Sequence, residues 1–189
     1  MNADYLAEQF NAALAYDRYL ATGTPEQQRR WRQVYDAAQL GDAQRQLIES
    51  FTRSMRLLVI SGIWCGDCVQ QCPLLQRIAE ANTRCIQLRL VDRDEHKELS
   101  SRCRINGGDR VPVVLFLAED FELCAVYGDR TLWRYRLLAA KQLALACPLP
   151  VAAPAADELA ATMHDWLNEV ERIELMLRLS SRLRQRHND

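Results

Sequence analysis

Trp64-Cys65-Gly66-Asp67-Cys68 places two thiols two residues apart, at the junction between an apolar run and a polar, helix-like segment. Cysteines one helical turn apart can close a small disulfide ring and pass that disulfide to another protein by thiol exchange, so the pentapeptide reads as a reversible two-electron site. A helix beginning here turns unpaired backbone N–H groups and partial positive charge toward Cys65, which favours its thiolate and marks it as the nucleophile. Cys68, a turn deeper, is then the resolving thiol. Asp67 adds a carboxylate beside both sulfurs. Its charge would raise the thiol pKa values, and it is a candidate base for Cys68; a solvated carboxylate serving the helix dipole is the plainer alternative.

The elements that must hold these residues follow from periodicity. Leu57-Leu58-Val59-Ile60 is a short apolar run, as expected of a strand buried on both faces, and it ends at Ser61-Gly62 just before the cysteines. A helix carrying Leu74, Leu75, Ile78 and Ala79 follows. The pattern then predicts a strand over 85–91, a helix over 94–104, a strand over 111–117, a turn at 118–120, a strand over 121–127 and a helix over 131–147. Before this block, residues 1–52 read as helices, with a break at Thr22-Gly23-Thr24-Pro25. Thr24 with Gln27, and Pro25 at the first helical position, forms a capping-box start for the second helix. After it, Pro148 to Pro154 reads as an extended linker, followed by one helix over 156–186. Leu159, Met163, Trp166, Val170, Ile173 and Leu177 run along that helix at heptad spacing. The stripe offers either packing on its own domain or a homodimer seam, the first being favoured because it is short for an independent coiled coil.

Composition bounds the class. The 189 residues are 49% hydrophobic and 26% charged, which suits an ordinary globular protein of one domain with decorations. A formal net charge of -1 gives no reason to expect nucleic acid or an anionic membrane as partner. The first residues lack a basic segment followed by an apolar stretch, and no apolar run approaches the ~20 residues of a membrane span, so the expected address is cytoplasmic. Seven cysteines, an odd number, look unlike a secreted disulfide framework. Cys72 extends the motif to three cysteines, but no further cysteine or histidine pair follows to complete a zinc site, and no metal or cofactor is expected.

The sequence resembles the thioredoxin superfamily, and loosely its bacterial thioredoxin-like members that carry a helical N-terminal extension. The resemblance rests on Trp64-Cys65-Gly66-x-Cys68, on Pro73 five residues after Cys68, on Val111-Pro112 where the family has its cis-proline, and on Asp92 after the second strand. It covers roughly 55–146. It implies an α/β, thioredoxin-like three-layer fold with a four-stranded mixed sheet, in an arrangement of a helical extension (1–54), a thioredoxin-like domain (55–147) and a linker with C-terminal helix (148–189). It also implies catalysis by Cys65 and Cys68, with Trp64, Gly66, Val111 and Pro112 at the substrate. Two departures stand out. The family's buried aspartate and its lysine partner fall at Val59 and Leu88, and Asp67 replaces a proline between the cysteines. The function implied is thiol–disulfide oxidoreduction on a disulfide-containing protein, with a thiol reductase or small thiol as electron donor. An adaptor whose helical flanks bind a partner is the alternative.

Overall fold

A computed structural model describes residues 1–143 and 157–189; the expected linker at 148–154 and Cys147 lie outside the described residues. Four strands form one sheet in the order β2-β1-β3-β4, with β1 (Met55–Ser61) parallel to β2 (Ile86–Asp92) and antiparallel to β3 (Val113–Ala118), which pairs antiparallel with β4 (Leu123–Gly128). The strand-length apolar runs are buried on both faces, β3 throughout and β1 everywhere but Arg56.

Four helices precede β1: α1 (Ala3–Ala12), α2 (Tyr16–Leu20), α3 (Pro25–Ala37) and α4 (Asp42–Glu49). The capping box of α3 is present in both directions. Thr24 N–H donates to Gln27 Oε1 at 2.8 Å, and Gln27 N–H to Thr24 Oγ1 at 3.3 Å. These helices are built into the core: Leu6, Phe10, Trp31 and Ile48 belong to the same buried cluster as Leu57, Leu58 and Phe116. Between α1 and α2, Leu14 exchanges two backbone hydrogen bonds with Leu90 and so covers the outer edge of β2.

Helix α5, which begins at the cysteine pair, is Gly66–Ala81; α6 (Lys97–Arg102) is shorter than the predicted span because Asp92 and Asp94 form a turn first, with Asp94 N–H on Asp92 Oδ1 at 2.8 Å. Helix α7 is Leu132–Leu143. The single C-terminal helix expected over 156–186 is two, α8 (Glu158–Leu179) and α9 (Ser181–His187), because Ser180 leaves helical geometry and its hydroxyl caps α9 at Leu183 N–H. The heptad stripe is buried inside the chain: Met163, Trp166, Val170, Ile173 and Leu177 all join the core. Among the described residues, no helix is long and apolar enough to cross a membrane.

Candidate active site

Cys65 is the residue before the first turn of α5, with extended backbone (φ −77°, ψ 126°), and its carbonyl accepts the Val69 N–H at 3.0 Å. The half-buried sulfur stands 3.7 Å from the Val111 carbonyl, to which the thiol donates. Val111–Pro112 is a cis peptide that precedes β3 rather than opening it. Beneath Cys65, Cys68 is fully buried, and its sulfur accepts the Gly62 N–H at 3.4 Å. The expected nucleophile, resolving thiol and cis-proline are therefore brought together. Both cysteines are free thiols.

The flanking positions are also adjacent. Trp64 remains 46% exposed, its indole against Gly62, where an added Cβ would stand 2.8 Å from the ring. The Arg93 guanidinium lies 4.8 Å above the same ring. Around Gly66, an added Cβ would meet nothing within 4 Å, so the first turn of α5 presents open space to an incoming chain. Gly128, at the end of β4, closes on the other side: a Cβ there would stand 2.5 Å from the Pro112 carbonyl, so only glycine lets β4 approach the proline loop. Trp31 of α3 donates its indole N–H to the Ile63 carbonyl at 3.0 Å and thereby ties the N-terminal helices to the loop carrying the cysteines.

Asp67 does not stand free beside the sulfurs. Its two carboxylate oxygens are held by Arg130 at 2.6 Å and Arg134 at 2.7 Å, and Arg134 also reaches Glu158 of α8 at 2.8 Å. Asp67 thus anchors α7 and α8 to α5, and its backbone N–H is among the groups that lower the Cys65 pKa. Behind it, buried Asp129 accepts from Tyr135 and pairs with Arg130 at 2.9 Å and Arg110 at 3.3 Å. Burial works to raise its pKa, yet these donors together hold the carboxyl below its usual range. Sequence reasoning missed Arg130 and Arg134; their spacing of four across the start of α7 is a signal, but the partner lies more than sixty residues away.

Val59 and Leu88 are buried apolar residues, so no carboxylate replaces the family's aspartate there. The groups next to Cys68 are instead thiols and a hydroxyl: Cys65, Cys72 and Ser61. Ser61 Oγ and Cys72 Sγ are 3.7 Å apart and both residues are fully buried, as is Tyr19. Ser61 was also missed, although it shares the strand face of Val59 by the two-residue alternation.

This environment raises both thiols. For Cys65 the hydrogen bond with Cys68 is the main cause and burial the next, offset partly by the N–H groups of Cys68 and Asp67; for Cys68 burial dominates. The helix terminus alone led to the opposite expectation for Cys65; the paired thiol outweighs it. A raised pKa leaves the thiol protonated at neutral pH. The alkylation rate of Cys65 by iodoacetamide is therefore expected to keep rising, about tenfold per pH unit, through the ~8.5 of an ordinary cysteine. A plateau already below pH 7 would contradict it.

A family model described as thioredoxin matches residues 13–133. Among solved structures, a protein of unknown function from Pseudomonas aeruginosa is similar at a TM-score of 0.68 with 23% identity, over 88% of this chain and 97% of that one. An HIV epitope scaffold is similar at 0.59 with 20% identity, over 89% and 92%. The germline-specific thioredoxin Deadhead of a fruit fly aligns at 0.37 with 20% identity, over 51% and 89%. No curated protein matches the chain. With the family model spanning well over half of the sequence and the sheet, helix and paired thiols in its order, the chain belongs to the thioredoxin family.

Proposed function

We propose that the protein is a thiol–disulfide oxidoreductase acting on protein disulfides. The observation that carries the reading is the half-buried Cys65 sulfur against the Val111 carbonyl with the Cys68 sulfur beneath it. In the reducing direction, Cys65 as thiolate attacks one sulfur of the substrate disulfide and bonds to it as a mixed disulfide, while the S–S bond breaks and the other substrate sulfur leaves first as a thiolate. Cys68 then gives up its proton and attacks Cys65 Sγ, forming the Cys65–Cys68 disulfide and releasing the second substrate sulfur. Two electrons have passed to the substrate. A thiol reductase or small thiol returns them. The open space at Gly66 and the exposed face of Trp64 leave room for the substrate chain.

Reduction of insulin by dithiothreitol tests this. The wild type is expected to accelerate precipitation of the insulin B chain, while Cys65→Ser falls to the rate of dithiothreitol alone. A wild type no faster than dithiothreitol would sink the reading.

A further inference from the structure

A cavity of about 520 Å³ opens on the side of Trp64 that faces the N-terminal helices, lined by Trp64 and Ile63 of the motif loop and not by the cysteines themselves. That volume lies within the range of small-ligand and side-chain pockets. Its lining is mixed, with an apolar side formed by Leu14 from the α1–α2 connection, Leu90 from β2, and Trp64. Leu14 and Trp64 are 39% and 46% exposed, although both belong to residue types that a folded chain ordinarily covers. Asp92, Asp94 and Glu95 line the same cavity, and among the described residues no lysine or arginine does.

The carboxylates are unequally free. Asp94 pairs with Arg93 at 3.0 Å. Asp92 accepts only the Asp94 backbone N–H, and Glu95, exposed, has no ion pair among the described residues. Among the described residues, Asp92 and Glu95 therefore have no ion pair at the slot, and the nearest guanidinium, that of Arg93 on the Trp64 ring, is taken by Asp94. The wall is held in place, since Leu14 is bonded to Leu90 in both directions and His96 meets Gln9 of α1 at 3.3 Å.

An apolar slot with an acidic rim fits a side chain that is aliphatic along its stem and cationic at its tip. We propose that this cavity receives a lysine or arginine of the substrate chain, located within a few residues of the cysteine that Cys65 attacks. Trp64 both lines the cavity and precedes Cys65, so a chain laid across the site carries a neighbouring residue to the slot. The N-terminal helices then act in choosing the substrate: Leu14, which they contribute, completes a pocket that the sheet and Trp64 leave open. The inference deepens the oxidoreductase reading and rests on it.

The test uses a short neutral peptide with one cysteine, in which a single lysine, alanine or glutamate is stepped through the three positions on either side. Each peptide is offered as its disulfide-linked dimer for reduction, and in a cysteine-to-serine form for binding by calorimetry. At the favoured position, lysine is expected to exceed alanine roughly threefold to tenfold in kcat/KM or in affinity, with glutamate below alanine. Glu95→Lys is expected to remove or invert that ordering. Equal behaviour of the three residues at every position, by both readouts, overturns the inference, as does an ordering that Glu95→Lys leaves intact. Preferential binding without any reduction would instead overturn the oxidoreductase reading and leave the pocket standing.

Discussion

Cys68→Ser is expected to stop turnover while leaving the first chemical step intact, so that substrate accumulates covalently on Cys65. The sulfur of Cys65 keeps its position against the Val111 carbonyl in that variant, because the helix start and the proline loop still hold Cys65 when its contact with the Cys68 thiol is replaced. A serine hydroxyl can still accept the Gly62 N–H that Cys68 accepts now, which limits structural damage. What it cannot do is attack the mixed disulfide. The third thiol of the helix does not rescue the step: Cys72 lies seven residues from Cys65, about 10 Å along the axis at 1.5 Å per residue, beyond the ~7 Å limit between Cα atoms for a bridge. It is also fully buried against Ser61. Incubation with insulin followed by non-reducing electrophoresis should show an adduct that dithiothreitol removes, absent from Cys65→Ser, with insulin reduction at the background rate. Normal turnover by Cys68→Ser, or no adduct at all, would refute the assignment of the two thiols.

The elements that form this site were largely legible because their signals are local. A buried apolar run, a turn and a helix start fix β1, the motif loop and α5 within a few residues of their observed limits, and Thr24 with Gln27 marks α3 to the residue. What stayed hidden depends on distant partners. Spacing places Asp67 beside two sulfurs, but only the folded chain brings Arg130 and Arg134 to its carboxylate. The Leu14–Leu90 bridge, one residue wide, has no periodicity to announce it, yet it makes one wall of the Trp64 cavity. The break at Ser180 interrupts a continuous helical pattern through a cap rather than through glycine or proline, the usual punctuation. The same distinction explains the heptad stripe: the pattern specifies an apolar seam, whereas the identity of its partner is a tertiary fact, here the chain's own core.

That partner makes the C-terminal helix a structural element, and Glu174→Ala is expected to cost about 2–4 kcal/mol of stability. Glu174 lies on α8 with 2% exposure, and its carboxylate accepts the backbone N–H of Thr52 at 2.9 Å and of Arg53 at 3.3 Å, where the chain enters β1. Those two donors precede the strand, and no neighbouring strand takes them up. Alanine removes the acceptor, strands the Arg53 N–H in the interior, and loosens the join between α8 and the central strand that leads to the cysteines. Glu174→Gln retains one acceptor oxygen at nearly the same volume, so its cost should be clearly smaller, and this ordering separates the hydrogen bonds from simple loss of packing. Urea unfolding measures both: the midpoint should fall in the order wild type, Gln, Ala at a constant slope. An alanine variant within about 0.5 kcal/mol of wild type, the scatter typical of neutral surface changes, would mean that α8 is not what holds the entrance of β1 in place.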